Sequence, residues 1–523
     1  MSTGRDDVVR PYDALQYASL AHRQTDPDRL ATVARIHGIN TPPVARCRVL
    51  ELGCAVGGNL AAMAMTLPNA QFVGVDLSER QIAHGRAAIA AAGIGNVALC
   101  ALDLMDVGTS LGTFDYIIAH GVFSWVSRDA QDEILSIFGR CLAPNGIAYV
   151  SYNTRPGWHE LSVIRDALMF DGREIVDPRD RVKRARDYLA WLSGSIPDGG
   201  AHGRRFIEEV AMVGALDDSY LLHEYLGPFH MPIHIHKVVA RAARCGLWYL
   251  CDAEPALSAD HSRAPEAERA RERSPNELVW AEQHYDFLAN RRFRRSLFCR
   301  RGSPLTRTMD PRHIDALFVS SRGQPVGAGA DVAFADLRGP EEMTFRAPEA
   351  DLTSAHPVMK AALVHLASVS PRAIPFGELL EAVRARLGPS PDQEREADEL
   401  RGNLMEAFLS STGVVALRTH APPCVTDPGE RPVASAWARH LAAETNRVAS
   451  LDHDMVLLDD VVRRLLPLLD GTRDRAALER ELSAMFERGE IVIRLPDGRA
   501  GKPAPGAMDS ALRSLARSAL LIG

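Results

Sequence analysis

The most constraining feature of this chain is an apolar run, RVLEL at 48–52, that gives way at once to Gly53-Cys54-Ala55-Val56-Gly57-Gly58-Asn59. Glycines directly after a buried strand let the backbone turn sharply into a helix and approach a bound ligand. The pattern then alternates. FVGVD (72–76), VALCALD (97–103), FDYIIAH (114–120) and IAYVSY (147–152) read as further strands. SERQIAHGRAAIAAAG (78–93) reads as a helix opened by a Ser cap and closed by Gly, and a second helix is expected over 129–142. Strands alternating with helices at this spacing imply a parallel sheet with crossover helices, a doubly wound, Rossmann-like α/β domain.

The other elements are less regular. A helical lead-in is expected to end at Thr41-Pro42-Pro43, and the pattern turns helical and charged from about 160 to 215. A His/Pro-punctuated segment (220–254), an exposed polar loop (258–277) and a helix over 277–300 follow. Beyond them, strand-like pieces VAFADL and EEMTFRA precede two helical arrays separated by 420–432. A chain of 523 residues has room for three or four domains. The expected division is 1–165, 166–305, 306–425 and 426–523, with the sheet first and mainly helical accessory domains after it.

Composition excludes several classes. With 46% hydrophobic residues the chain is not disordered, and a net charge of -7 argues against a general nucleic-acid sink. Lysine occurs only at 183, 237, 360 and 502, an arginine bias that fits codon usage. The eight cysteines include no CxxC pair and several lie in apolar runs, so reduced, buried cysteine is expected. MSTGRDDVVR carries no apolar leader and no run is long enough to span a bilayer, so a soluble cytoplasmic protein without membrane insertion is expected.

The glycine loop alone is ambiguous, because Gly53-x-Ala55-x-x-Gly58 nearly fits a dinucleotide fingerprint. Three features tilt it. Glu51, at the strand end, suits a ligand bearing an ammonium and a sulfonium and would repel a pyrophosphate. Asp103 ends the third strand, where a carboxylate can accept from an adenine amine. The fourth strand ends in FDYIIAHG, whose C-terminal end faces the same crevice. With these motifs in order, the chain resembles class I S-adenosylmethionine-dependent methyltransferases. That resemblance implies S-adenosylmethionine as cofactor, with contacts from Glu51, Gly53, Cys54, Ala55, Gly57, Asn59, Asp76, Leu77, Asp103, Leu104 and His120. Ala55 departs from the pattern, which commonly has glycine there.

A narrower resemblance rests on HGVFSWV (120–126), SYNTRPGWH (151–159), QTDPDRL (24–30), LLHEYL (221–226), GLWYL (246–250), YDFLANRRFRR (285–295) and LLPLLDGTRD (465–474). Together they are similar to a bacterial group of methyltransferases with a regulatory domain, whose best-understood members are protein lysine methyltransferases acting on bacterial surface proteins. The resemblance implies N-methylation of a protein or peptide side chain and a possible homodimer. A small-molecule O- or N-methyltransferase stays open, as does a cofactor-sensing regulator of transcription, against which the intact crevice and the lack of a basic recognition helix argue.

If the acceptor is an amine it must first lose a proton. His120, Tyr152 and Asn153, at the ends of the fourth and fifth strands, are the candidates to accept from it, His120 either as a base or as a loop anchor. Phe123, Trp125 and Trp158 are candidates for an aromatic wall around a methylated cation, or for packing between domains. His223, His230, His234 and His236 lack the Cys or carboxylate partners of a familiar metal spacing, so no metal is expected. His234 and His236 are two apart and would share a face on a strand. The run Arg291-Arg292-Phe293-Arg294-Arg295 is expected to salt-bridge domains together and not to bind nucleic acid. The C-terminal arrays resemble winged helices, with EIVIRLPDGRAGKP as a hairpin, read as docking modules.

Overall fold

The structure is a computed structural model that describes residues 12–15, 20–196, 200–255, 275–307, 309–327, 337–389, 391–410, 413–491, 493–494, 500–501 and 506–523. Its centre is a seven-stranded mixed sheet. In chain order the strands are β1 (Arg48–Leu52), β2 (Gln71–Asp76), β3 (Val97–Ala101), β4 (Phe114–Ala119), β5 (Leu142–Asn153), β6 (Leu247–Asp252) and β7 (Phe293–Arg300). Their spatial order is β3-β2-β1-β4-β5-β7-β6. The first five pair in parallel, and β7 runs antiparallel between β5 and β6.

The crossover helices begin where the sequence provides caps. Helix α1 (Gly58–Thr66) starts from Gly57 in the left-handed region. Helix α2 (Glu79–Ala91) starts from Ser78, whose Oγ accepts from the Gln81 N–H at 3.1 Å. Helix α3 (Arg128–Cys141) is capped by Ser127. Side chains alternate between the two faces of the sheet, as strand geometry requires. Val49, Phe72, Tyr116, Ile118 and Tyr149 enter one apolar core, and Leu50, Val75, Ile117, Val150 and Tyr152 the other.

Three differences from the sequence reading have physical causes. Residues 293–300 form a strand and not the end of a helix; the helix, α4 (Pro275–Leu288), stops just before Asn290, which has φ +45°. Sheet strands β6 and β7 arise inside 166–305, so the sheet crosses the boundary expected at 165. His234 and His236 lie at the start of the helix Ile235–Arg244 and not on a strand; their rings stack at 5.5 Å, and His236 Nδ1 meets Gln283 Oε1 at 2.8 Å. Among the described residues no group of three His, Cys, Asp or Glu is arranged to hold a metal ion.

The arginine run ties α4 to the sheet. Arg294 is fully buried, with Nε 2.9 Å from both Asp286 oxygens and NH2 2.6 Å from Glu282 Oε2. Arg291 reaches Asp286 at 3.1 Å and Asp252 at 3.5 Å. Beside the sheet, helices between 159 and 225 pack around their own core.

Beyond 305, a small sheet (Phe318–Ser321, Ile374–Pro375, Val415–Arg418) carries the helices Pro357–Val369, Phe376–Leu387 and Gln393–Leu409. EEMTFRA contains the strand Met343–Arg346, whereas VAFADL and most of 258–277 lie outside the described residues. The last module has a separate core built on the helices Ala436–Glu444, Asp460–Leu465, Arg475–Glu487 and Ala507–Arg517. Its segment 490–503 contributes a short antiparallel pair, Ile493–Arg494 with Ala500–Gly501. Among the described residues no helix is long and apolar enough to cross a membrane.

Candidate active site

The C-terminal ends of β1, β2, β3 and β4 converge on one crevice, with the glycine loop as its floor. Gly53 has φ +73°, and a Cβ there would lie 2.3 Å from Val122 Cγ2, so this position excludes any side chain. Ala55 also sits in the left-handed region, at φ +51°, a conformation that costs a non-glycine residue about 1–2 kcal/mol. Its N–H donates to Asp76 Oδ2 at 2.9 Å, which holds the loop in that shape. Cys54 turns inward, with Sγ over Gly74, leaving its backbone to the loop. Gly57 ends the loop as the cap of α1.

Three carboxylates line the crevice. Glu51 is buried and its Oε1 accepts from Asn59 Nδ2 at 2.8 Å, while Oε2 has no partner among the described residues. Burial pushes its carboxyl up to about 8, against the opposing effect of the Asn59 bond. Asp76 accepts from the Ala55 and Ser78 N–H groups, each at 2.9 Å. Burial raises it as well, and those backbone N–H groups pull it back. Asp103 caps the turn Leu104–Asp106 by accepting from Met105 N at 3.0 Å, and Leu77 and Leu104 are half-buried beside these strand ends. A buried carboxylate oxygen with no partner among the described residues, next to a loop whose glycines let the backbone approach, fits a ligand with an ammonium close to its bulk, as S-adenosylmethionine has.

His120 follows β4 at the crevice edge. Its Nδ1 lies 2.9 Å from Tyr149 Oη, its Nε2 makes no hydrogen bond among the described residues, and the ring of His22 packs on it at 4.0 Å. Burial holds His120 well below the ordinary histidine range, with the neighbouring His22 and Arg295 adding to the effect. His22 is likewise pushed down to about 4. Both rings are therefore neutral at pH 7.

The other expected residues divide. Asn153 lies at the end of β5, where its Nδ2 is 3.4 Å from His230 Nε2. Tyr152 is on the opposite face, buried against Phe123 and 2.9 Å from Ser296 Oγ. Adjacent strand residues point to opposite faces, so Tyr152 cannot join Asn153 at the crevice, and Tyr149 takes the place expected of it beside His120. Phe123 is also core, fully buried under the Arg241 guanidinium at 5.4 Å. Trp125 and Trp158 do meet, but His230 fills the space between them, at 4.9 and 4.2 Å from their rings. The three aromatics thus form no open wall.

Two sets of partners, His22 with His453 around Asn59 and Tyr12, Asp13 and Leu15 around Ser78 and His223, were not anticipated from sequence. Asn59 Oδ1 accepts from the His22 N–H at 3.1 Å and meets His453 Nε2 at 2.8 Å. At the other rim, Tyr12 stacks on His223 at 4.3 Å, Ser78 Oγ donates to Asp13 Oδ1 at 2.6 Å, and His223 Nε2 donates to Leu15 O at 2.7 Å. Residues 12–15 therefore strap the Asp76–Ser78 edge of the crevice to the helix Asp218–Tyr225. Only histidine side chains in the sequence hint at either set.

Comparison with known proteins agrees with this architecture. Residues 50–148 match the family described as a methyltransferase domain, 217–300 a predicted methyltransferase regulatory domain, and 430–520 the PKMT C-terminal winged helix domain. An uncharacterised protein of Rickettsia prowazekii is 30% identical over 498 residues, covering 94% of this chain and 89% of its own length. A second from that organism is 38% identical over 234 residues, covering 45% of this chain and 94% of its own. The structure of PKMT2 from Rickettsia typhi in complex with AdoHcy superposes with a TM-score of 0.85 at 27% identity, covering 97% of this chain and all of that one. With that fold, crevice and domain series, the chain belongs to the S-adenosylmethionine-dependent methyltransferases that carry a methyltransferase regulatory domain and a PKMT-type C-terminal winged helix domain.

Proposed function

We propose that this enzyme N-methylates lysine side chains of a protein substrate. The observation that carries the reading is the extent of the likeness to Rickettsia typhi PKMT2, which spans 97% of the chain and so includes the modules beyond the sheet. Those modules supply the surface that a protein substrate needs and a small molecule does not. In this reading 1–165 holds the cofactor, 166–305 completes the sheet and covers the crevice, and 306–425 and 426–523 grip the substrate.

Glu51 holds the cofactor's ammonium through its free Oε2, Asp76 the ribose hydroxyls, and Asp103 with Leu104 the adenine. The glycine loop from Gly53 to Gly57 lets the backbone lie against the ligand. When bound, the cofactor supplies a methyl group on a sulfonium, a good leaving group, so the protein's main task is alignment. A lysine ammonium, with a pKa of ~10.4, must lose its proton before it can attack. His120 is neutral and its Nε2 is unpartnered, so it accepts a hydrogen bond from the incoming nitrogen and orients it, with Tyr149 fixing the ring. So weak a base does not keep the proton, which passes to solvent.

The test is incubation of the purified enzyme with methyl-labelled S-adenosylmethionine and lysate of its source cells. Label in acid-precipitated protein, mapped by peptide mass spectrometry to lysine, is expected. Label confined to the soluble fraction overturns the reading in favour of a small-molecule acceptor.

A further inference from the structure

The C-terminal module reaches into the cofactor crevice through one hairpin. Its strands, Arg447–Ala449 and Met455–Leu457, pair Ala449 with Met455, so the loop is Ser450-Leu451-Asp452-His453-Asp454. Asp452 anchors this loop on Arg418 at 2.7 Å and Arg322 at 3.0 Å, and the Leu451 N–H donates to Ala519 O at 2.8 Å. His453 then projects into the methyltransferase domain, only 3% exposed, and its Nε2 stops 2.8 Å from Asn59 Oδ1.

The direction of that bond follows from its neighbours. A backbone N–H can only donate, and that of His22 points at the same Asn59 oxygen from 3.1 Å. The oxygen is therefore correctly assigned as acceptor, and His453 Nε2 carries the hydrogen. Asn59 Nδ2 is in turn directed at Glu51 Oε1 at 2.8 Å and Thr25 Oγ1 at 3.1 Å. The series His453–Asn59–Glu51 ends on Glu51 Oε2, a buried carboxylate oxygen with no partner among the described residues. His453 also has φ +60°, where glycine is the easier residue, so the backbone alone gives no reason for a histidine here.

We propose that His453 is a positioning residue for cofactor binding: by donating to Asn59 it fixes the amide that holds Glu51 Oε1, and so aims Oε2 at the cofactor's ammonium. The proposal rests on the reading of Glu51 as the ammonium's partner. It makes the C-terminal module part of the cofactor site, 394 residues along the chain from Asn59, so that whatever displaces the hairpin also loosens the cofactor.

The experiment compares full-length wild type, His453→Gly, His453→Gln and Glu51→Gln by calorimetric titration with S-adenosylhomocysteine, thermal denaturation without ligand, and steady-state kinetics. Glycine suits φ +60° but removes the donor. His453→Gly is expected to bind about 5–10-fold more weakly, with the loss in the cofactor KM rather than in kcat and no fall in Tm. His453→Gln, which offers an N–H on a side chain of similar reach, is expected to recover most of the affinity. Unchanged affinity in His453→Gly while Glu51→Gln binds weakly overturns this proposal alone. Unchanged affinity in Glu51→Gln overturns the reading beneath it. A lower Tm in His453→Gly, with no rescue by His453→Gln, makes the residue a domain anchor and also overturns the proposal.

Discussion

If Glu51 holds the cofactor's ammonium as proposed, cofactor binding releases a proton. In the free enzyme burial holds its carboxyl up at about 8, so at pH 7 it is mostly protonated. An ammonium beside Oε2 stabilises the carboxylate instead, and the proton must leave as the ligand enters. The apparent affinity is then divided by 1 + 10^(8 − pH). Between pH 8 and pH 6 that factor grows by ~50, which is ~2.3 kcal/mol of binding free energy. The histidines around the site do not blur the effect: His22 and His453 are pushed down to about 4 and His120 lies well below its ordinary range, so all three stay neutral over this interval. Glu224, another buried carboxyl held up at about 8, sits near the Tyr12 strap and not at the ammonium. Titration with S-adenosylhomocysteine at pH 7, in two buffers of different ionisation heat, should give ~0.9 proton released per ligand. Glu51→Gln should abolish that release and flatten the pH dependence. Release of no proton by wild type, or the same release by Glu51→Gln, refutes the reasoning.

The same carboxyl sets a stability trend. With its folded value above the unfolded one, Glu51 binds a proton only in the folded state between about 4.5 and 8, so the stability contributed by that proton is full below about 4.5, falls as pH rises through the window and is gone above about 8. Glu51→Gln should therefore show a shallower decline of Tm from pH 6 to 9. Asp76→Ala removes the acceptor of two loop N–H bonds and is expected to weaken cofactor binding by about 100-fold, read by the same titration. His120→Ala should lower kcat by about 10–100-fold with cofactor affinity kept within twofold; equal losses in both would make His120 a structural anchor. Arg294→Ala strands Glu282 and Asp286 in the core and should cost about 3–5 kcal/mol in urea unfolding. Tyr12→Ala should free the strap from His223 and speed cofactor release in stopped-flow, with little change in Tm.

Much of the candidate site was legible because its signals are local. Glu51, Gly53, Asp76 and Asp103 lie at or just beyond the ends of strands visible as apolar runs, Gly57 caps the helix that follows the first of them, and strand ends of a parallel sheet meet at one crevice. What failed to read is what depends on register or on distant partners. Tyr152 and Asn153 are neighbours on β5, and one residue of parity sends them to opposite faces; choosing both placed one of them in the core. Strand β7 was taken for helix because arginines spaced along FRRSLFCR imitate an exposed face, and only Glu282 and Asp286, brought over by α4, allow Arg294 to be fully buried.

The histidines depend on distant partners in the same way. Read in sequence, His223, His230, His234 and His236 invite a metal, yet in the fold each meets a different partner: His223 the Tyr12 strap, His230 the two tryptophans, His234 and His236 each other and Gln283. Those around the candidate site, His22, His120 and His453, lie in three separate stretches of chain, and nothing in their spacing links them. Burial without a charged partner keeps a histidine neutral, and a neutral ring offers one donor and one acceptor in fixed directions. That suits a site whose ligand is itself a cation. A second positive charge at His120 or His453 would oppose the sulfonium and the ammonium, whereas neutral rings can orient Asn59 and the incoming amine without repelling either. The low histidine values and the high Glu51 value thus form one electrostatic arrangement in the proposed reading: the neutral rings add no positive charge beside the cofactor, and Glu51 supplies the negative charge that balances its ammonium.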